Sequence, residues 1–316
     1  MTIRAAAMQI ASVPGDRAAT LEKACTWIDR AAEQKIELLV FPEWYHPGIE
    51  LFVLAKNPEN RYEHFMDEFK AQLDTIPGPT TDRISEKARE HGMHIVYGII
   101  ALLPGGQMAN TSALFGPDGD ILNVHRKTVL TPGLETPELT KGDELNVIST
   151  ALGEIGQLIC ADASLPESPR VLAIKGAEII CHSMGSFYVD DPDKRYVVRD
   201  ITLRSHCSPS RAIDNNVFIV VANLVGVHGG MEFYGKSRIM NPRGDIIAEG
   251  QEDISSEELV IADIDLAERK EGNTPFRLID RRRPEIYGDI LNPNPVSGGL
   301  VWHDPARGEQ PEEAAE

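Results

Sequence analysis

GQLICADASLPE, residues 156–167, sets an apolar run against a short polar turn, with Cys160 at the junction. The full run GEIGQLIC (153–160) has the length and character of a buried strand, and a helix is predicted from about Glu167 to Gly176 beyond the turn. Strand, turn and helix in that order are the repeating unit of an α/β fold. Cys160 then stands at a strand tip, either as a small hydrophobe closing a core or as a nucleophile at an elbow.

Outward from this unit, strands and helices keep alternating. IRAAAMQI (3–10) reads as an opening strand, and Asp16 caps a helix whose Leu21, Ala24, Cys25, Ile28 and Ala31 recur at helical spacing. IELLVFPE (36–43) is a short apolar run halted at Pro42, and a helix around 80–91 leads into the strand HIVYGII (94–100). SALFG and ILNVHRK flank the turn PDGD, which makes a hairpin. After Cys160 come EIICHS (178–183), a helix near 200–213, NNVFIVVAN (215–223), and the strands of SRIMNPRGDIIAEG and ELVIADID. Alternation with interleaved hairpins predicts mixed rather than purely parallel sheets.

With 316 residues, 42% hydrophobic and 25% charged, the chain can bury a large core. One domain is expected over 1–295, followed by an acidic extension at 296–316 whose end, EQPEEAAE, suits disorder. The net charge of -18 argues against nucleic acid as a partner. MTIRAAAMQI lacks the form of a signal peptide and no apolar stretch is long enough for a bilayer, so a cytoplasmic protein without membrane contact is expected. The four cysteines (Cys25, Cys160, Cys181 and Cys207) have no CxxC spacing, and neither a metal site nor a cofactor is expected. Cys25, Cys181 and Cys207 read as core.

Three apolar strands end in reactive groups: Glu43 after IELLVFP, Lys127 after ILNVHR, and Cys160 after GEIGQLI. Were these strands neighbours in one sheet, their ends would meet in one crevice. A thiol, a carboxylate and an ammonium suit amide hydrolysis through a thioester, as nucleophile, proton carrier and oxyanion stabiliser. Taken singly, each residue has a plainer role, in packing, a turn or solvation.

FPEWYHPG (41–48), HRKTVLTPGLE (125–135) and CADASLPE (160–167) resemble the three signature segments of the nitrilase, or carbon–nitrogen hydrolase, superfamily. The resemblance runs on through ANTSALFGPDG (109–119), NNVFIVVAN (215–223) and YGKSRIMNPRG (234–244), and covers roughly 3–290 in the family's order. It implies a four-layer α-β-β-α sandwich with two mixed sheets and a Glu43–Lys127–Cys160 triad. It also implies a second glutamate, at Glu135 rather than Glu138, and an oxyanion donor in the N–H of Ala161. Tyr45 and His46, beside Glu43 in the first segment, are candidate substrate-binding residues. A homodimer or larger homo-oligomer is the family's common form.

True nitrilases of this superfamily commonly carry Trp-Glu after the nucleophile, where this chain has Ala161 and Asp162. That favours a plain amide, with release of ammonia or amine, over an N-carbamoyl compound and then a nitrile. Ala163 and Ser164 stand where D-amino-acid carbamoylases tend to carry arginine, although Arg195, Arg199 or Arg204 could hold a substrate carboxylate. His182 and His206 are expected to be structural or pocket-lining, Asn110 and Asn223 to hold turns or shape the site, and Asp162 to order the elbow. A metal-dependent phosphoesterase on a similar sandwich, using Glu43, Asn110 and His303, is the alternative from another class, without metal-ligand spacing to support it. A non-catalytic binding protein is disfavoured by the intact triad positions.

Overall fold

The computed structural model describes residues 2–56, 62–188, 207–272 and 279–291. The opening run forms β1 (Thr2–Gln9), and Asp16 Oδ1 accepts from Ala19 N at 2.9 Å to cap α1 (Arg17–Glu33). IELLVFPE pairs only as β2 (Leu38–Val40), because the chain leaves the sheet at Pro42, which has no N–H to give the ladder. Then follow α2 (Glu50–Lys56), α3 (Tyr62–Lys70), α4 (Pro79–His91), β3 (His94–Leu102), β4 (Met108–Phe115) and β5 (Ile121–Arg126). The second part holds β6 (Val147–Thr150), β7 (Gly153–Ile159), α5 (Glu167–Ile174), β8 (Ile179–Met184), β9 (Phe187–Tyr188) and α6 (207–215). It ends with β10 (Phe218–Asn223), β11 (Val225–His228), β12 (Met231–Tyr234), β13 (Arg238–Met240), β14 (Ile246–Glu249), β15 (Glu258–Asp265) and α7 (Glu268–Gly272). Residues 200–206 of the expected helix near 200–213 lie outside the described residues, as does the tail EQPEEAAE.

Two six-stranded sheets carry the fold, in the orders β15-β1-β2-β3-β4-β5 and β14-β13-β10-β8-β7-β6. In the first, β1, β2 and β3 are mutually parallel and the outer strands antiparallel. In the second, β7, β8 and β10 take the parallel role. A small antiparallel sheet, β11-β12-β9, is separate.

Strand alternation explains the layering. On β1, Ala5 and Ala7 face the cluster between the sheets, while Ala6 and Met8 face the outer cluster shared with Ala24 and Ile28 of α1 and Ile84 and Ala88 of α4. On β8, Ile179 and Cys181 face inward, and Ile180 and Met184 pack outward with Leu172 of α5 and Ala212 of α6. Sheets covered on both faces read as unbroken apolar runs, which is how β7, β8 and β10 appear in sequence. The order of layers is therefore α-β-β-α, the nitrilase-like sandwich. Phe218, fully buried between the sheets, is a measure of what holds them: truncation of such a side chain to alanine costs about 3–5 kcal/mol.

The idea of three neighbouring strand ends in one sheet needs correction. β2 and β5, which precede Glu43 and Lys127, lie in the first sheet, whereas β7, which precedes Cys160, lies in the second. Their ends meet because the sheets stack face to face. Beyond Ile279 the chain forms a second unit beginning at Asp280, with short helical turns at Pro284–Ile286 and Gly288–Leu291. Among the described residues no helix is long and apolar enough to cross a membrane.

Candidate active site

Glu43 follows β2 where its backbone passes close to β3. A Cβ on Gly98 would fall 1.9 Å from Pro42 O and 3.2 Å from Glu43 Cα, so a side chain there would push Glu43 aside. Trp44, at φ 57°, turns the chain, and its buried ring packs on Phe52 and Phe69. Lys127 leaves β5 with its N–H donating to Asn110 O at 2.9 Å and its carbonyl accepting from Gly142 N at 2.8 Å. Cys160 opens a 3₁₀ turn, Cys160–Ala163, directly after β7.

At φ 43°, Cys160 occupies the left-handed region that non-glycine residues rarely enter. Such strain persists only where surrounding structure fixes it. Here Ile159 N donates to Asp162 Oδ2 at 3.0 Å, and His182 Nε2 bonds Cys160 O at 3.1 Å. Ala161 follows in the same turn, half-buried.

The side chains converge on one ammonium. Lys127 Nζ donates to Glu43 Oε1 at 2.7 Å and to Glu135 Oε2 at 2.6 Å. Glu135 is held in turn by Thr131 N, which donates to Oε2 at 2.7 Å. Asn110 Nδ2 bridges the carboxylates, donating to Glu43 Oε1 at 2.8 Å and Glu135 Oε1 at 2.7 Å. The Cys160 thiol hydrogen-bonds Glu43, whose Oε2 faces Gly185.

Two buried carboxylates share one ammonium, so the charge does not balance. Burial raises the Glu43 carboxyl above the ordinary carboxylate range, and the Glu135 charge adds to this, while Lys127 and the Cys160 hydrogen bond oppose it. For Lys127, burial alone would lower the ammonium, yet the charges of Glu43, Cys160 and Glu135 raise it and keep it protonated. A group able to hold or release a proton thus sits beside a thiol and a fixed positive charge. Cys181, fully buried, is instead pushed up by burial alone, and Cys25 is raised chiefly by burial too.

Of the residues singled out from sequence, Glu43, Lys127, Glu135 and Cys160 come together. Tyr45 and His46 do not join them. The fully buried Tyr45 donates its hydroxyl to Thr20 O at 3.1 Å, and His46 Nε2 pairs with Thr80 Oγ1 at 3.0 Å. Neither offers a bond to the ammonium cluster, because the turn after Trp44 carries Tyr45 into the helix-facing core and His46 against Thr80 of α4. Glu138 pairs with Lys56 at 2.6 Å. Asn223 fastens the turn after β8, accepting from Ser186 N at 2.7 Å and donating to Gly235 O at 2.6 Å. Arg195, Arg199, Arg204, His206 and His303 lie outside the described residues.

The bridging role of Asn110 was not legible beyond site-shaping, although an amide inside the apolar strand ANTSALF must find partners. Metal-like spacing among the described residues occurs at Asp29, Glu90 and His91, on the outer helices, where Lys87 Nζ already donates to Asp29 at 2.7 Å and Glu90 at 2.9 Å.

The carbon–nitrogen hydrolase family model matches residues 4–273. Among curated relatives, an omega-amidase of Bos taurus is 27% identical over 295 residues, spanning 90% of this chain and 97% of that protein. A nitrilase of Pyrococcus abyssi is 32% identical over 269 residues, spanning 84% and 91%. Among solved structures, a carbon–nitrogen hydrolase from Helicobacter pylori G27 superposes with a TM-score of 0.78 at 25% identity, over 92% of this chain and 98% of that one. An amidase from Nesterenkonia sp. AN1, carrying the acetamide moiety of fluoroacetamide on its active-site cysteine, shares the fold with a TM-score of 0.71 at 22% identity, over 92% and 97%. With the family match running from the first strand to the last helix of the sandwich, this chain belongs to the carbon–nitrogen hydrolases.

Proposed function

We propose that this hydrolase cleaves a non-peptide amide C–N bond through a thioester on Cys160, releasing ammonia or an amine. The observation that carries the reading is the buried contact of the Cys160 thiol with Glu43, whose Oε1 is held by Lys127. Cys160 Sγ attacks the carbonyl carbon while its proton passes to Glu43. The resulting oxyanion lies against Lys127 Nζ and the N–H of Ala161. Glu43 then protonates the nitrogen, the C–N bond breaks, and the amine leaves. Water attacks the thioester after giving a proton to Glu43, the S–C bond breaks, and the proton returns to the sulfur. Glu135 and Asn110 keep Lys127 and Glu43 in place throughout.

The raised Glu43 carboxyl supports this role, since a proton carrier works best with a pKa near the working pH. The omega-amidase relatives favour an amide, and an N-carbamoyl compound is the second reading. The test is an ammonia-release screen over amides, N-carbamoyl compounds and nitriles. Amides should give the highest kcat/KM. A clear preference for N-carbamoyl compounds or nitriles would overturn the assignment.

A further inference from the structure

We propose that Asp162 is a positioning residue that locks Lys127 against Cys160 by binding the segments of both on one carboxylate. This rests on the reading of Cys160 as nucleophile. Asp162 Oδ2 accepts from Ile159 N at 3.0 Å and from His125 Nε2 at 2.9 Å. Oδ1 accepts from Thr128 N at 2.9 Å, Thr128 Oγ1 at 2.8 Å and Val129 N at 2.8 Å. Ile159 ends β7 in the second sheet; His125, Thr128 and Val129 flank Lys127 at the end of β5 in the first. One carboxylate therefore spans the gap between the sheets.

The bonds of the Lys127 side chain run to other segments. Its ammonium donates to Glu43, Glu135 and Thr131, none of which belongs to the segment carrying Cys160. Glu43 touches both ammonium and thiol from a third segment, and Asp162 fastens together the two strand ends that carry them. The fastening is rigid, because the side chain is fully buried and all its donors are short. The donors also favour the ionised form, in which both oxygens accept and no carboxyl O–H faces the N–H groups of Ile159, Thr128 and Val129. Burial would raise this carboxyl, but the hydrogen bonds from His125, Ile159 and Thr128 hold it below the ordinary range. Further down the same strands, Asn123 Nδ2 donates to Gln157 Oε1 at 2.7 Å, so β5 and β7 are joined by polar side chains at a second point. That second bridge lets the sandwich stay assembled when the first is weakened.

The experiment compares wild type with Asp162→Asn, which keeps the shape but sets an NH₂ against N–H donors. For amide turnover, kcat should fall about 10–100-fold, the scale of a roughly 1 Å misplacement, with KM changed less than about threefold. A kcat within about twofold of wild type, against that scale, overturns the proposal. A second readout needs no substrate: the rate of iodoacetamide alkylation at Cys160, located by mass spectrometry, in a cycle with Lys127→Ala. Positioning through Lys127 predicts that Asp162→Asn slows alkylation in the wild-type background and adds nothing in Lys127→Ala. Equal effects in both backgrounds mean a merely structural role and sink the idea. If Asp162→Asn fails to fold, Thr128→Val deletes one donor and keeps the carboxylate; kcat should drop at least about twofold with Tm nearly unchanged, and an unchanged kcat overturns the proposal. Cys160→Ala separates the two claims: ammonia release surviving in it refutes the nucleophile, whereas its loss beside a normal Asp162→Asn refutes only the positioning.

Discussion

Lys127 Nζ and Glu43 Oε1 lie 2.7 Å apart, both buried, although 84 positions separate the residues in the chain. The ammonium therefore lies against the carboxyl that touches the Cys160 thiol. Removing either partner strands a buried charge, which typically costs 3–5 kcal/mol. Variants at these two positions should be judged by kcat in protein shown to be folded.

Cys160→Ala should abolish ammonia release while leaving the circular dichroism spectrum native. Cys181→Ala should keep most activity and lose some thermal stability, because Cys181 is core between the sheets. Activity in the first variant, or its loss in a folded second variant, contradicts the assignment.

Lys127→Arg should lower kcat about 10²–10³-fold, as loss of an oxyanion donor does. The guanidinium is a planar fork, and the site holds a compact ammonium between Glu43 and Glu135 at 2.7 and 2.6 Å. Steady-state rates within twofold of wild type would remove Lys127 from this role.

The pH profile of kcat/KM should lose activity on the acid side above about pH 4.3, where an ordinary glutamate titrates. Glu43 must be ionised to take the thiol proton, and burial raises its carboxyl. The same shift has a sign for stability. A native state that binds a proton the unfolded chain has lost becomes less stable as pH rises through that window. An acid limb at or below pH 4, against that reference value, would show that the Lys127 charge outweighs burial.

Asn110→Leu removes both amide donors from Glu43 and Glu135. The acid limb should move to higher pH and kcat should fall about tenfold, on the scale of about 1.5 kcal/mol for a hydrogen bond to a charged group. A profile superposable on wild type would reduce Asn110 to packing.

A matched amide and nitrile bearing one side chain should differ in kcat/KM, with the amide preferred. The nitrile adduct becomes a thioimidate, whose geometry differs from the tetrahedral intermediate at the Cys160 elbow. Several pairs in which the nitrile wins would reverse the choice made from Ala161 and Asp162.

The strands leading to Glu43 and Cys160 were legible because burial on both faces writes apolar runs, whereas half-exposed β5, which leads to Lys127, was legible from the hairpin turn PDGD that precedes it. Which sheet each strand joins was not, since GEIGQLI and IELLVFP look alike in composition and only packing distinguishes their partners. The pieces α2, α3, β6, β9, β11 and β12 escaped the reading. They are short, and β6 and β9 are only half-buried, so no period had room to show. Tyr45 and His46 were placed by nearness in sequence to Glu43, but the left-handed turn at Trp44 sends them into the core. Asp162 showed only its local bond to the elbow, because its partners at 125, 128 and 129 are remote in the chain.

β1 pairs along its full length with β15, from Thr2 opposite Asp265 to Gln9 opposite Glu258. During synthesis, then, β1 leaves the ribosome long before β15, its partner, arrives. Until then one edge of the first sheet is open, and its apolar residues offer a template to other chains. Contacts this distant in sequence form slowly and favour aggregation meanwhile. A chain cut before Glu258 would retain Glu43, Lys127 and Cys160, yet the sheet that carries Glu43 and Lys127 would lack its closing edge. The end of the sandwich that gathers Glu43 and Lys127 thus depends on a strand remote from both.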